Sequence, residues 1–339
     1  MSKVKIIAEI GVNHNGDIDL AYKMIDAAAN SGADFIKFQT FETESLVTHN
    51  APKAKYQLKN TKTRETQFEM LKKLELGIKE HFQLLEYCQA KGVVFLSSAF
   101  DLKSLTFLKE MNLPLIKIPS GEITNLPYLK AVAVIGKPVI LSTGMATMDE
   151  VEASVQVLVE NGLEKNMITV LHCNTEYPTP FKDVNLLAMK TLSEKLQVAV
   201  GYSDHTIGSE VAIASVALGA VVIEKHFTLD RNLSGPDHKA SMEPKDFKKM
   251  VQSIRNIEVA ISGNGQKIPS SSEVKNISIA RKSVYLAKDL DAGTILEDYH
   301  LTTLRPGTGI SPMSWYDILG KSLNKKLNKG SQLNWEDLN

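Results

Sequence analysis

The sequence is poor in cysteine, in charge imbalance and in long apolar runs, and each shortage removes a class of protein. Two cysteines, Cys88 and Cys173, occur in 339 residues. The first falls in a helical pattern and the second in a strand pattern. Neither has metal-ligand spacing, so a disulfide scaffold and a cysteine-bound metal are set aside, and a reducing, cytoplasmic setting is expected. Cys88 is assigned to core packing. No apolar run approaches the roughly 18 residues needed to span a bilayer. Residues 1–7 read as the start of a strand and lack the apolar run of a signal peptide. Lys plus Arg number 39 and Asp plus Glu number 39, a formal net charge of +0. No overall field therefore draws the chain to nucleic acid or to a membrane surface. There is no low-complexity tract and no internal repeat beyond an alternation of strand and helix.

That alternation is what the sequence does have. β-branched and apolar runs predict strands at 5–10, 35–40, 93–98, 115–119, 138–142, 168–173, 198–201 and from 222 onward. Helical patterns separate or follow them at 19–30, 79–91, 102–111, 126–135, 148–161, 186–196, 210–218 and 244–262. Strict alternation demands a parallel α/β sheet. Eight such units in about 260 residues match a closed (β/α)8 TIM barrel. An open doubly wound sheet fits less well, because no Gly-x-Gly-x-x-Gly follows the first strand. A polar insertion at 42–73, rich in Lys, Thr and Gln, is expected to form part of a lid or a short helical excursion. The barrel is assigned to 1–262. Residues 263–277, rich in Gly, Ser and Pro, read as a flexible linker. Residues 278–339 read as a small, mostly β domain.

In such a barrel the chemistry gathers at the C-terminal ends of the strands. Two of those ends carry histidines, His205 and His226. They lie on strands joined by one crossover helix, so their ends sit side by side, ~4.8 Å apart. Two imidazoles so placed can share a divalent metal and leave positions open for substrate. Glu224 stands two residues before His226 and points to the same side. The other ends deliver Glu9, Lys37 with Gln39, Ser98, Lys117 with Ser120, Ser142, Tyr177 and Ser203. Lys37 and Lys117 stand among apolar neighbours, and a lysine buried there is costly unless it meets an anion. Two such lysines beside serines and loop glycines point to a bound phosphate or carboxylate. One buried lysine alone would equally suit a Schiff-base aldolase. Asp204, His14 and His238 suit either catalysis or loop hydrogen bonding.

These segments resemble the sialic acid synthase family. The likeness runs through Ala8-Glu-Ile-Gly-Val-Asn-His-Asn-Gly-Asp17, Phe35-Ile-Lys-Phe-Gln-Thr40, Ile116-Lys-Ile-Pro-Ser-Gly-Glu122 and Leu141-Ser-Thr-Gly-Met145. It continues through the two histidine segments, Gly235-Pro-Asp-His238 and Arg305-Pro-Gly-Thr-Gly-Ile310. The C-terminal part resembles the antifreeze-like (SAF) module of these enzymes. The resemblance implies condensation of phosphoenolpyruvate with an N-acylated, mannosamine-type sugar to a nine-carbon α-keto acid and phosphate. It implies that His205 and His226 hold a divalent metal, Mn2+ or Mg2+. Lys37, Ser98, Lys117, Ser120, Ser142, Asn174 and Ser203 would bind phosphoenolpyruvate. Gln39, Tyr177, Asp237 and Arg305 would face the sugar, with Arg305 supplied across a domain-swapped homodimer. Glu224 would face the sugar as well, and Glu9 and Glu224 are the candidates to position or deprotonate water, one of them as the base. The stretches Cys173-Asn-Thr-Glu-Tyr-Pro-Thr-Pro180 and Glu224-Lys-His-Phe-Thr-Leu-Asp230 are more similar to the branch making legionaminic acid. N-acetylneuraminate is the next expectation.

Overall fold

The computed structural model describes residues 3–61 and 63–339. The first two positions of the N-terminal run and position 62 of the insertion lie outside the described residues. The chain divides into two compact units between Ser262 and Gly263.

In the first unit eight parallel strands close on themselves in chain order. They are β1 (Lys5–Gly11), β2 (Phe35–Thr40), β3 (Val94–Ala99), β4 (Ile116–Ile118), β5 (Val139–Ser142), β6 (Ile168–Cys173), β7 (Ala199–Asp204) and β8 (Val222–His226). β1 pairs with both β2 and β8, which seals the barrel. Because strand side chains alternate between faces, each strand divides its residues between the helices and the barrel axis. Ile6, Ala8, Ile10, Ile36 and Phe38 join the large core shared with the helices. Ile7, Leu96, Leu115, Ile140, Leu171 and Val222 meet one another inside the barrel, with Phe35 packed against them. Two residues beyond each of these seven, on the same face, come Glu9, Ser98, Lys117, Ser142, Cys173, Glu224 and Lys37. The barrel therefore has an apolar floor and, one layer higher, a mostly polar ring. A slip of one residue in any strand would exchange the two faces and put a charge among the helices.

β7 breaks the floor with Gly201. A Cβ there would lie 2.4 Å from the Val222 carbonyl oxygen and 2.6 Å from Leu171 Cδ2. The floor has no room for an eighth side chain, and Ser203 stands above the glycine. Helix starts follow the loops through side-chain caps. Asp17 accepts from the N–H groups of Asp19 and Leu20, and Thr147 forms a capping box with Glu150.

The insertion after β2 folds as three short helices, Thr43–Leu46, Lys55–Thr61 and Gln67–Lys72. An apolar cluster of Val12, Phe41, Met70, Leu71 and Leu74 seats it on the barrel. Lys53, whose side chain is fully buried, donates to Thr61 Oγ1 at 3.0 Å and to Thr63 Oγ1 at 2.8 Å. That polar brace replaces the apolar interior such a lysine- and threonine-rich stretch lacks.

In the second unit β9 (Ser283–Leu286) pairs antiparallel with β10 (Leu301–Leu304). Val284, Leu286, Leu296, Leu323 and Leu333 form its core. The stretch read as a flexible linker instead starts a helix, Ser271–Ala280, behind a capping box of Ser270 and Glu273. The cap is local hydrogen bonding that overall Gly, Ser and Pro content does not register. Position 278, taken as the start of the small domain, falls inside that helix. In the loop after β10, a Cβ on Gly309 would stand 2.6 Å from the Leu333 carbonyl oxygen, so the backbone runs where only glycine fits.

Candidate active site

The polar ring and the residues one step above it surround a cavity of ≈ 490 Å³ at the C-terminal mouth of the barrel. Strand register brings its charges together: Glu9 pairs in register with Lys37 and with His226, Ser98 with Lys117, and Ser203 with Glu224. Lys37 Nζ lies 2.7 Å from Glu9 Oε2 and 3.7 Å from Glu224 Oε2, and donates to Ser98 Oγ at 3.1 Å. Lys117 Nζ donates to Ser142 Oγ at 2.7 Å and stands 3.8 Å from Glu224 Oε2. Ser203 Oγ donates to Glu224 Oε1 at 2.9 Å, and Gln39 Nε2 donates to Glu9 Oε1 at 3.1 Å. Two ammonium groups thus converge on one carboxylate from different strands, at distances longer than a direct hydrogen bond.

Burial and charge drive these groups apart. Burial raises the Glu9 carboxyl above its ordinary value, a rise that Lys37 opposes and Glu224 reinforces. Burial also works to raise Glu224, but Lys117 and Lys37, with the Ser203 hydrogen bond, overcome it and hold that carboxyl well down. Lys37 is pushed up: burial opposes this, and the two carboxylates prevail. Lys117 is pulled down, chiefly by burial.

His205 and His226 stand with ring centroids 5.3 Å apart. Their Tyr177 neighbour lies 4.2 Å from the first ring and 5.5 Å from the second. Tyr56, from the insertion, packs 5.0 Å from Tyr177. Burial keeps both imidazoles neutral, His205 lowered to about 4 and His226 well below its ordinary value. His205 Nδ1 pairs with the Asn174 carbonyl, so Nε2 carries the lone pair; it lies 3.4 Å from Ser203 Oγ, whose proton goes to Glu224 Oε1 at 2.9 Å. His226 Nδ1 is buried and meets no hydrogen-bond partner among the described residues. Neutral imidazoles with free nitrogens are what a divalent cation needs. No group of three or more His, Cys, Asp or Glu side chains forms a ready-made cation cage among the described residues. The donor set fits a two-histidine site whose other ligands are water and substrate.

The other expected residues divide. Ser120 Oγ accepts from the Gly144 N–H at 3.0 Å and lines the cavity. Asn174, expected on phosphoenolpyruvate, is placed otherwise. Its side chain is engaged within its own loop, accepting from the Glu176 N–H at 2.7 Å, and Thr175 lines the cavity in its place. Thr175 lies two residues beyond Cys173, so strand parity carries past the strand end by one step. Asp237 faces not this cavity but an adjoining one. Arg305 is exposed and follows β10 in the second unit. Asp204 points outward and pairs with Lys225 at 2.8 Å. His14 and His238 hold loops: the first accepts from the Gly16 N–H, and the second pairs with Thr228 Oγ1 at 2.7 Å. Tyr56 and Cys173 line the cavity without having been singled out. The place of Cys173, two residues beyond Leu171 of the floor, was the signal for it.

Asp237 gives a test by pH. Burial, helped by Glu9, raises its carboxyl from 3.8 to about 7. Between those values the folded chain holds a proton the unfolded chain releases, so this group's stabilising contribution is full below 3.8 and is lost as pH rises through about 7. The buried histidines act with the opposite sign over part of the same range, so the comparison must be between variants. Asp237→Asn is expected to flatten the fall, becoming more stable relative to the parent as pH rises from 4 to 8. Urea unfolding midpoints across that range read it, and parallel profiles for the two proteins would refute it.

Comparison with known proteins agrees with this architecture. Residues 24–267 match the NeuB family and residues 281–339 match the SAF domain. The N,N'-diacetyllegionaminic acid synthase of Campylobacter jejuni is 53% identical over 96% of this chain and 97% of its own. The enzyme of the same name from Legionella pneumophila is 46% identical over 98% of this chain and 94% of its own. Among solved structures, the N-acetylneuraminic acid (sialic acid) synthetase of Leptospira borgpetersenii, in complex with citrate, superposes with a TM-score of 0.71. It is 37% identical and covers 81% of this chain and 90% of that one. Among the described residues no helix is long and apolar enough to cross a membrane.

Proposed function

Because the chain belongs to the NeuB family, we propose that it condenses phosphoenolpyruvate with an N-acylated amino sugar. The sugar is 2,4-diacetamido-2,4,6-trideoxymannose, the product is N,N'-diacetyllegionaminate, and phosphate is released. The observation that carries this reading is the pair of buried ammonium groups, each seated on a serine, beside two neutral imidazoles in one cavity. Phosphoenolpyruvate brings a carboxylate and a phosphate, and Lys37 and Lys117 with Ser98, Ser142, Ser120 and Ser203 are their ligands in this reading. The choice of sugar rests on the names of the relatives most similar over the full chain. N-acetylmannosamine, giving N-acetylneuraminate, is the alternative.

The chemistry follows from the charges. The C3 carbon of phosphoenolpyruvate attacks the sugar aldehyde, its double-bond electrons form the new C–C bond, and positive charge develops at C2. Water adds to C2 and loses a proton. The tetrahedral carbon then expels phosphate by C–O cleavage, leaving the keto group. Glu224, held ionised by the lysines, faces the developing positive charge. Glu9, raised by burial, is the better matched group for exchanging the proton. A divalent cation, Mn2+ or Mg2+, would be held by His205 and His226 and would supply Lewis acidity at the aldehyde. Gln39, Tyr177 and Asp237 are assigned to the sugar. Arg305 is assigned to its N-acyl oxygen from the partner of a domain-swapped homodimer, a role that rests on family resemblance. We place the enzyme in the cytoplasm, where phosphoenolpyruvate is made.

The test is phosphate release from phosphoenolpyruvate with Mn2+, comparing the diacetamido sugar with N-acetylmannosamine, each with and without EDTA. Release that EDTA abolishes and that favours the diacetamido sugar is the expected result. Preference for N-acetylmannosamine would select the alternative. A lysine adduct trapped by borohydride, with no phosphate released, would move Lys117 to Schiff-base chemistry instead.

A further inference from the structure

A second cavity, of ≈ 260 Å³, opens beside the first and shares Gln39, Tyr56, Phe100, Tyr177 and His226 with its wall. Its far side is built from the insertion. Leu46, Met70 and Leu71 supply an apolar face, and Gln57, Gln67 and Asp237 supply polar groups. The insertion is fastened over it, since Asn60 Nδ2 donates to the Pro236 carbonyl at 2.6 Å, next to Asp237. Asp237 is 7% exposed, and its Oδ1 has no hydrogen-bond partner among the described residues. A buried oxygen left unpaired beside open space is costly unless something fills that space. Liquid water occupies about 30 Å³ per molecule, so the chamber has room for a substituent of several heavy atoms.

We propose that this chamber is the subsite that selects the sugar, taking the uncharged acylamino and methyl groups on the part of the substrate remote from its aldehyde. The proposal rests on the condensation reading and extends it. With the aldehyde at the histidine pair, the rest of the open-chain sugar leads past the shared wall toward the insertion. An acetamido group there offers a methyl to Leu46, Met70 and Leu71, and an amide to the glutamines and Asp237. A deoxy terminus adds another methyl for the same apolar face. Among the described residues no lysine or arginine lines this wall, so a phosphorylated terminus would be desolvated there without a cation to meet it. A sugar bearing hydroxyls at these positions would leave the apolar face unfilled and wet.

Leu46 is half-buried, so a larger side chain there intrudes on the chamber without opening the barrel core. Leu46→Trp is expected to lower kcat/KM for the diacetamido sugar by about tenfold or more, chiefly through KM. The change for N-acetylmannosamine is expected to stay under about threefold, with KM for phosphoenolpyruvate unmoved. Leu46→Ala, which enlarges the chamber, is expected to weaken the diacetamido sugar alone, and it serves if a melting curve shows the tryptophan variant unfolded. Equal effects on both sugars, or none on either, would overturn the proposal. Calorimetric titration of each sugar into each protein reads the chamber even without turnover. Parent enzyme that binds the diacetamido sugar but releases no phosphate would count against the condensation reading, while the Leu46 series would still decide the subsite.

Discussion

Replacing Lys117 by methionine is expected to lower kcat/KM for phosphoenolpyruvate by about 10²–10³-fold, the loss seen when one preorganised donor to a developing charge is removed. Lys117 is 2% exposed, is fixed by Ser142 at 2.7 Å, and stands 3.8 Å from Glu224. Its loss acts twice. An anionic substrate loses one of two buried cations. Glu224 also loses the larger of the two charges opposing the rise that burial imposes on it. Its carboxyl then moves up, so the acid limb of the rate profile shifts to higher pH. Lys117→Arg is not expected to rescue, because a planar fork does not fit where a single ammonium is seated against Ser142. Steady-state phosphate release across pH reads both effects. A variant whose KM for the sugar rises while KM for phosphoenolpyruvate stays put, with no shift of the acid limb, would remove Lys117 from the phosphoenolpyruvate site.

That prediction rests on a feature open to plain reading. Lys117 lies two residues beyond Leu115, as Glu9 lies beyond Ile7 and Glu224 beyond Val222. The two-residue period of a strand fixes both the floor and the ring above it, so alternation alone placed the lysines, serines and glutamates on one face. Strand parity would also have sent Asp204 to the outer wall with Lys225, its partner in register. Parity also carries one step past β6, from Cys173 to Thr175, and it is Asn174, assigned to phosphoenolpyruvate by family resemblance, that hydrogen bonds from the Glu176 N–H and Thr179 Oγ1 hold within the loop. The insertion was legible as a lid but not as the wall of a second chamber, because its seating comes from Lys53 and from Met70 and Leu71 meeting Phe41 across the fold. Such contacts have no period to follow. The helix Ser271–Ala280 was hidden for another reason, its cap being a single Ser–Glu pair amid linker-like residues.

The largest effect on stability is expected at that outer pair. Lys225 and Asp204 have side chains 1% and 0% exposed, 2.8 Å apart. Lys225→Met leaves a carboxylate buried without its cation, and breaking such a pair costs about 3–5 kcal/mol. Asp204→Leu strands the ammonium instead, although Lys225 keeps the Thr206 carbonyl at 2.6 Å. In an ion pair that acted alone, the double variant would return close to the parent, because the expense of desolvating both charges disappears with them. Here Asp204 Oδ1 also accepts from the Thr206 N–H at 2.9 Å and from Thr206 Oγ1 at 2.7 Å. The double variant leaves those donors unpaired, at about 1–3 kcal/mol. It is therefore expected to recover part of the loss of Lys225→Met and to remain below the parent. Urea unfolding of the full chain for the four proteins closes the cycle. Strict additivity of the two single changes would mean that the pair, though in contact, contributes no coupling, and that Asp204 acts only as the anchor of the Thr206 turn.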